Sequence, residues 1–183
     1  MENLEKNSGV NKSVINWYPG HMAKAKRLIK EQINLVDIVY EVVDARIPIS
    51  SKIKDIDELI NNKPKIILMT KSDLCDIDKT NKWVDYYEEK GYKVILLDLI
   101  NNKNIDKIYK VTDEVLKDLN EKRIAKGLKK RTYRALIIGI PNVGKSTLIN
   151  EFLKLSKKES QKNQLEAQLK QKILNNIMEV IKI

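Results

Sequence analysis

Cysteine and histidine each occur once in the 183 residues, as Cys75 and His21. The chain can therefore close no internal disulfide and assemble no Cys/His zinc cluster. Aromatic residues make up only 5% of the sequence, and no segment approaches the roughly 20 consecutive apolar residues that a membrane span requires. Residues 1–13 are polar and lack the apolar core of a secretory leader. A cytoplasmic location with no membrane partner is the expectation. Beyond Thr147 there is no further threonine, beyond Asp118 no aspartate and beyond Gly144 no glycine.

Basic residues are abundant. Lys and Arg number 35 against 25 Asp and Glu, a formal net charge of +10, which favours polyanionic partners such as RNA or acidic membranes. The excess is concentrated in residues 117–134, where Lys117, Lys122, Arg123, Lys126, Lys129, Lys130, Arg131 and Arg134 face only Asp118 and Glu121. This cluster reads as a phosphate-facing patch, with a solvated helix face and linker as the alternative.

Four short runs rich in branched apolar residues read as buried strands: residues 38–44, 65–70, 94–97 and 135–138. Helical stretches alternate with them over residues 23–34, 54–61, 78–90 and 104–126, and a further helix follows from Lys145 to Leu155. Such alternation predicts an α/β fold with a parallel sheet flanked by helices. Residues 156–183 change character: Lys, Gln, Glu and Asn surround an apolar stripe at Leu165, Leu169, Ile173, Ile177 and Ile181. One amphipathic helix is expected there.

The run 135–138 leads into Gly139-Ile-Pro-Asn-Val-Gly144-Lys145-Ser146, the Gly-x-x-x-x-Gly-Lys-Ser/Thr pattern between a strand and a helix. Glycines there let backbone N–H groups turn toward phosphate oxygens, and the helix that follows adds the positive end of its dipole. Lys145 is expected on the β and γ phosphates, and the Ser146 hydroxyl on Mg2+. Thr70-Lys71-Ser72-Asp73, at the end of another strand, is the candidate base reader. An Asp carboxylate at that edge can accept guanine N1–H and N2–H, a donor pair that adenine lacks, while the Lys71 stem lies over the ring. The alternative for Asp73 is the cap of an ordinary strand-to-helix turn.

Taken with Asn16-Trp-Tyr-Pro-Gly-His-Met-Ala-Lys-Ala, Asp37-Ile-Val-Tyr-Glu-Val-Val-Asp-Ala-Arg-Ile-Pro and Arg134-Ala-Leu-Ile-Ile-Gly-Ile-Pro-Asn-Val-Gly-Lys-Ser-Thr-Leu-Ile-Asn, these motifs resemble the ribosome biogenesis GTPase A (YlqF-type) family of circularly permuted GTPases. The resemblance covers about residues 14–152. It implies a GTP- or GDP-binding factor that meets the large ribosomal subunit and its rRNA during maturation, with no DNA partner. It also implies that His21 assists hydrolysis, that Asn142 supports a monovalent cation such as K+, and that Pro141, Val143, Gly144 and Thr147 belong to the nucleotide site with Thr70, Lys71, Asp73, Lys145 and Ser146. Two departures stand out: Thr70 replaces the usual Asn of Asn-Lys-x-Asp, and the base loop around Asp98-Leu-Ile-Asn-Asn lacks its Ser.

The family's switch threonine and Asp-x-x-Gly segment would follow the phosphate loop, and these 183 residues contain neither. The expectation is an incomplete, circularly permuted P-loop domain over residues 14–155 and a non-family helical tail over 156–183, from a shortened or frame-shifted gene. Such a chain would hold guanine nucleotide and hydrolyse it poorly. Strand 135–138 would then lie at a sheet edge, with the tail's stripe covering it or self-associating. A non-enzymatic RNA- or ribosome-binding remnant is the rival reading. A small-molecule P-loop kinase is a third, which would leave residues 70–73 unexplained.

Overall fold

A computed structural model describes residues 20–54, 56–61, 63–128 and 133–162, with the backbone alone for residues 20–23, 25 and 156–162. Helix α1 (Gly20–Gln32) ends in a short 3-10 turn, Ile33–Leu35. There follow β1 (Ile38–Asp44), α2 (Ile56–Leu59), β2 (Lys65–Thr70), a second 3-10 turn (Ser72–Leu74), α3 (Ile77–Glu89), β3 (Lys93–Leu96), α4 (Ile105–Val115), α5 (Lys117–Ala125), β4 (Ala135–Ile138) and α6 (Lys145–Lys162). The strands form one parallel sheet in the order β3-β2-β1-β4.

All seven residues of β1 and all six of β2 are buried, as expected of central strands covered on both faces. Alternate β1 residues serve different cores: Ile38, Tyr40 and Val42 pack with Ile108, Leu148 and Phe152 of α4 and α6. Val39 faces Ile29, Ile33 and Ile56, and Val43 faces Tyr87 of α3. The strand order steps outward from β1 through β2 to β3, then returns to place β4 on the other side of β1. That reversal moves the connecting helices to the opposite face and opens a crevice at the carboxyl ends of β1 and β4.

Strand β4 pairs with β1 and, among the described residues, with no other strand. Its edge position agrees with the sequence reading, and both faces are nevertheless covered. The stripe proposed to cover the edge, from Leu165 to Ile181, lies outside the described residues. Helix α6 itself runs past the expected end at Leu155 to Lys162.

The single helix expected over 104–126 is two helices broken at Leu116, whose φ of −100° and ψ of 11° leave the helical range. Leu116 is 1% exposed, so the break turns an apolar side chain inward just before the polar α5 begins. The helix expected over 54–61 shrinks to α2, a single turn.

A buried ionic cluster sits on the α2–α3 face. Glu41, wholly buried in the middle of β1, has the Lys65 ammonium 2.9 Å from its Oε2, and Lys65 also donates to Asp57 Oδ1 at 2.6 Å. Glu41 Oε1 accepts from Ile53 N at 3.3 Å, which ties the loop after β1 down onto the strand. Burial opposes the Lys65 charge, but Glu41 and Asp57 together hold its pKa above the ordinary lysine value. Removing one partner of such a pair strands the other charge, at a cost of about 3–5 kcal/mol. Glu41→Ala should therefore destabilise the chain by about 3 kcal/mol or more in urea unfolding, while Glu114→Ala, which breaks the exposed Lys93–Glu114 pair, should cost roughly 0–1 kcal/mol. Equal costs for the two would show that the buried cluster is not holding the sheet.

Candidate nucleotide-binding site

The loop after β4 runs against the backbone of β1. A Cβ added at Gly139 would lie 2.5 Å from the Val42 carbonyl oxygen and 2.9 Å from Val143 Cγ2, so only glycine allows this approach. Two residues then take left-handed backbone, Asn142 at φ 64° and Gly144 at φ 100°. With Leu148 N donating to Gly144 O at 2.9 Å, α6 starts directly from the loop and its first-turn N–H groups open onto it. Pro141, Asn142, Ser146 and Thr147 are exposed around this mouth, and Val143 is buried beneath it at 2% exposure.

Lys145 reaches back over the loop and donates to Gly139 O and Ile140 O, each at 2.8 Å. No carboxylate pairs with it among the described residues, and burial pushes its pKa below the ordinary lysine value. A half-buried ammonium held only by neutral carbonyls is a strong attractor for an anion. The loop therefore fits a phosphate chain: backbone donors, a helix N-terminus and an uncompensated cation converge on one mouth.

The end of β2 is fastened to the same loop. Thr70 Oγ1, fully buried, donates to Val143 O at 2.5 Å, with Val43 O 3.1 Å away. Thr70 thus serves as a tether between strand and loop rather than as a group facing the base. Lys71 adopts the left-handed region (φ 60°, ψ 35°), and its Nζ donates to Asn142 O at 2.8 Å and to Asp44 Oδ2 at 2.9 Å. Asp73, in the 3-10 turn that follows, is exposed and makes no hydrogen bond among the described residues. Its carboxylate is available to a ligand. Around Asp98 the chain forms an ordered turn, with the carboxylate accepting from Asn101 N at 2.9 Å, Ile100 N at 3.1 Å and Asn101 Nδ2 at 2.7 Å. The backbone and side-chain bonds from Asn101 hold the Asp98 carboxyl below its usual range.

The structure therefore brings Thr70, Lys71, Asn142, Val143, Gly144 and Lys145 into one hydrogen-bonded assembly, with Asp73, Pro141, Ser146 and Thr147 exposed at the same sheet edge. His21 falls on the first turn of α1, and its side chain lies outside the described residues, as do residues 14–19. Among the described residues there is no group of three or more His, Cys, Asp or Glu suited to a metal ion. A magnesium ion would have to be held by Ser146 together with phosphate oxygens, where it would neutralise phosphate charge.

Residues 134–179 match the family model described as "50S ribosome-binding GTPase". Over 141 residues the chain is 48% identical to ribosome biogenesis GTPase A of Bacillus licheniformis, covering 77% of this chain and 50% of that protein. It is 37% identical over 138 residues to Short integuments 2, mitochondrial, of Arabidopsis thaliana, covering 75% of this chain and 34% of that one. Among solved structures, GNP-bound YlqF from T. maritima superposes with a TM-score of 0.52 at 36% identity, over 70% of this chain and 47% of that one. Over the matched region the chain is homologous to the ribosome biogenesis GTPase A (YlqF-type) proteins. The chain spans about half the length of the curated relatives it matches.

Within this YlqF-type region, sequence reasoning overlooked Asp44 and Arg46 as members of the site, although both stand in the motif that runs from Asp37 to Pro48. Arg46 grips the Asp44 carboxylate through Nε to Oδ1 at 2.9 Å and Nη2 to Oδ2 at 2.7 Å, and its own N–H adds a bond of 3.0 Å to Oδ1. The signal was a carboxylate closing a buried β-branched run at the ligand edge. These bonds, chiefly from the Arg46 side chain with Lys71 beside it, outweigh burial and hold the Asp44 carboxyl well below the usual carboxylate range. A pKa lowered by folding adds stability that is fully present above the unfolded value near ~3.9 and is lost only as pH falls through the lowered one. Asp44→Asn should thus lower stability by a constant amount from about pH 5 to 8, measured by urea titration, with the gap to the parent closing only in strong acid. A gap that closes within that range would show that Asp44 is not ion-paired in the fold.

Proposed function

We propose that this chain binds GTP and GDP at the carboxyl edge of its sheet and acts in the maturation of the large ribosomal subunit, with rRNA as its partner. The observation that carries the nucleotide assignment is Lys145, a half-buried cation with only carbonyl partners at the head of a loop that glycine holds against β1. In this reading Lys145 takes the β and γ phosphates and Ser146 takes Mg2+, while Asn142 supports K+ and Pro141, Val143, Gly144 and Thr147 complete the cradle. Thr70 and Lys71 hold that cradle to β2, and Asp73 reads the guanine N1–H and N2–H. Because the base motif precedes the phosphate loop in the sequence, the arrangement is that of a circularly permuted GTPase. The names of the relatives support the ribosomal role. A cytoplasmic site of action is part of this reading; separately, no described helix is long and apolar enough to cross a membrane.

Hydrolysis needs more than binding. A residue that senses the γ phosphate and a group that orients water are both required, and after Thr147 these 183 residues contain no threonine and no Asp-x-x-Gly segment. Whatever His21 contributes near the attacking water, these 183 residues taken alone should turn GTP over slowly. Competition titration with a fluorescent GDP should show GDP bound at least about tenfold more tightly than ADP, the weight of one charge-assisted hydrogen-bond pair. Asp73→Asn should weaken GDP and spare xanthosine diphosphate, whose exocyclic carbonyl suits the Asn amide. Equal affinity for ADP and GDP would discard the guanine assignment and revive a kinase-type P-loop. Fast GTP hydrolysis abolished by His21→Ala would contradict the slow-turnover part alone.

A further inference from the structure

Helix α5 is poorly explained by packing. Of its nine residues only Asn120 is buried, and its apolar side chains are scattered around the axis with no stripe: Leu119 is half-buried and Ile124 is 58% exposed. Asn120 docks on the Tyr133 hydroxyl, two residues before β4. Arg134 N then donates to Asp37 Oδ2 at 2.9 Å, which pins the entry of β4 beside β1. With 3.6 residues per turn, Lys117 and Arg123 lie about 60° to either side of Asn120, while Lys122 and Lys126 fall about 160° and 120° from it, on the solvent side beside Arg123. The helix is thus docked by one amide, and Lys122 and Lys126 share the exposed side turned away from it, with Arg123 at its border.

Most of these cations have no carboxylate partner among the described residues. Lys52, Lys65, Lys71, Lys79, Lys93, Lys103 and Lys154 all have carboxylate partners. Among the described residues the side chains of Lys122, Arg123, Lys126 and Arg134 have none, and Lys117 has only a 3.9 Å contact with Glu121. The buried Nε atoms of Arg123 and Arg134 lack any hydrogen-bond acceptor. From Lys122 to Lys126 the row extends about 6 Å along the helix axis. Because β4 runs from this end of the sheet to the phosphate loop at the other, the row sits at the edge opposite the nucleotide.

We infer that Lys122, Arg123, Lys126 and Arg134 form a docking surface for the phosphate backbone of RNA, separate from the nucleotide site; the choice of RNA rests on the function proposed above. A cluster of cations without carboxylate partners suits a regularly charged polyanion, whose contacts release counterions without reading sequence. A lipid surface suits α5 badly, since a helix that lies in a bilayer interface needs a continuous apolar face. Lys129, Lys130 and Arg131 continue the charge in the sequence, outside the described residues.

The test compares Lys122→Glu/Lys126→Glu with Lys79→Glu/Lys93→Glu, which changes net charge equally at other places. Binding of a labelled oligouridylate to the full chain is followed by anisotropy between about 50 and 200 mM KCl. The first variant should bind at least about tenfold more weakly at the lower salt, with a log–log salt slope shallower by about 0.7 for each phosphate it no longer neutralises; the second should stay within about twofold of the parent. GDP affinity and thermal unfolding, measured on the same samples, should match the parent in the first variant. Equal losses in the two variants, or no loss in the first, would overturn the surface. So would binding to phosphatidylserine vesicles that the first variant abolishes while RNA binding stays intact. A parent chain that binds RNA but no GDP would contradict the nucleotide assignment and leave the surface standing.

Discussion

The Lys71 ammonium, shared between the Asn142 carbonyl and the Asp44 carboxylate, joins three segments that are distant in sequence. Lys71 reaches both acceptors from left-handed backbone, a conformation that costs a residue with a side chain about 1–3 kcal/mol. Two hydrogen bonds involving charged groups, each contributing about 1.5–3 kcal/mol, offset that strain. Arg46 also holds the Asp44 carboxylate, through both of its oxygens, so the acceptor is fixed independently of Lys71. Thr70 repeats the logic one residue earlier, through the Val143 carbonyl. The phosphate loop is therefore shaped from outside, by the ends of β1 and β2, as much as by its own glycines.

Strand β4 carries the consequences across the molecule. At its start, Arg134 is paired through its backbone with Asp37, and at its end Gly139 presses on Val42. Four residues lie between these anchors, which are roughly 17 Å apart along the extended chain. In the β1 core, Glu41 and Lys65 fix the loop after β1 through Ile53, so the strand that receives Gly139 is itself held by a buried charge pair.

Much of this was legible in the sequence because the signals were local. The runs 38–44, 65–70 and 135–138 have the observed boundaries, since β-branched residues bounded by polar ones mark a buried parallel strand unambiguously. The phosphate loop was legible for the same reason, its glycines and lysine being consecutive. The break at Leu116 was not, because Val115-Leu116-Lys117 contains no glycine or proline and the turn is imposed by burial of one leucine. Nor was the Glu41–Lys65 pair, whose members look like misplaced charges in two separate apolar runs until the parallel register brings the strands together. Asp44 was read as the end of a strand, and only the fold reveals that Arg46 and Lys71 converge on it.

The central claim is that the loop between β4 and α6, fastened by Thr70 and Lys71, is the phosphate cradle. Hydrogen–deuterium exchange of the full chain with and without saturating GDP and Mg2+ tests it most directly. Amides of residues 139–148 and 70–73 should be slowed together by the nucleotide, while those of α5 should be unchanged. Slowing confined to other segments, or slowing of residues 139–148 with 70–73 unaffected, would contradict the account.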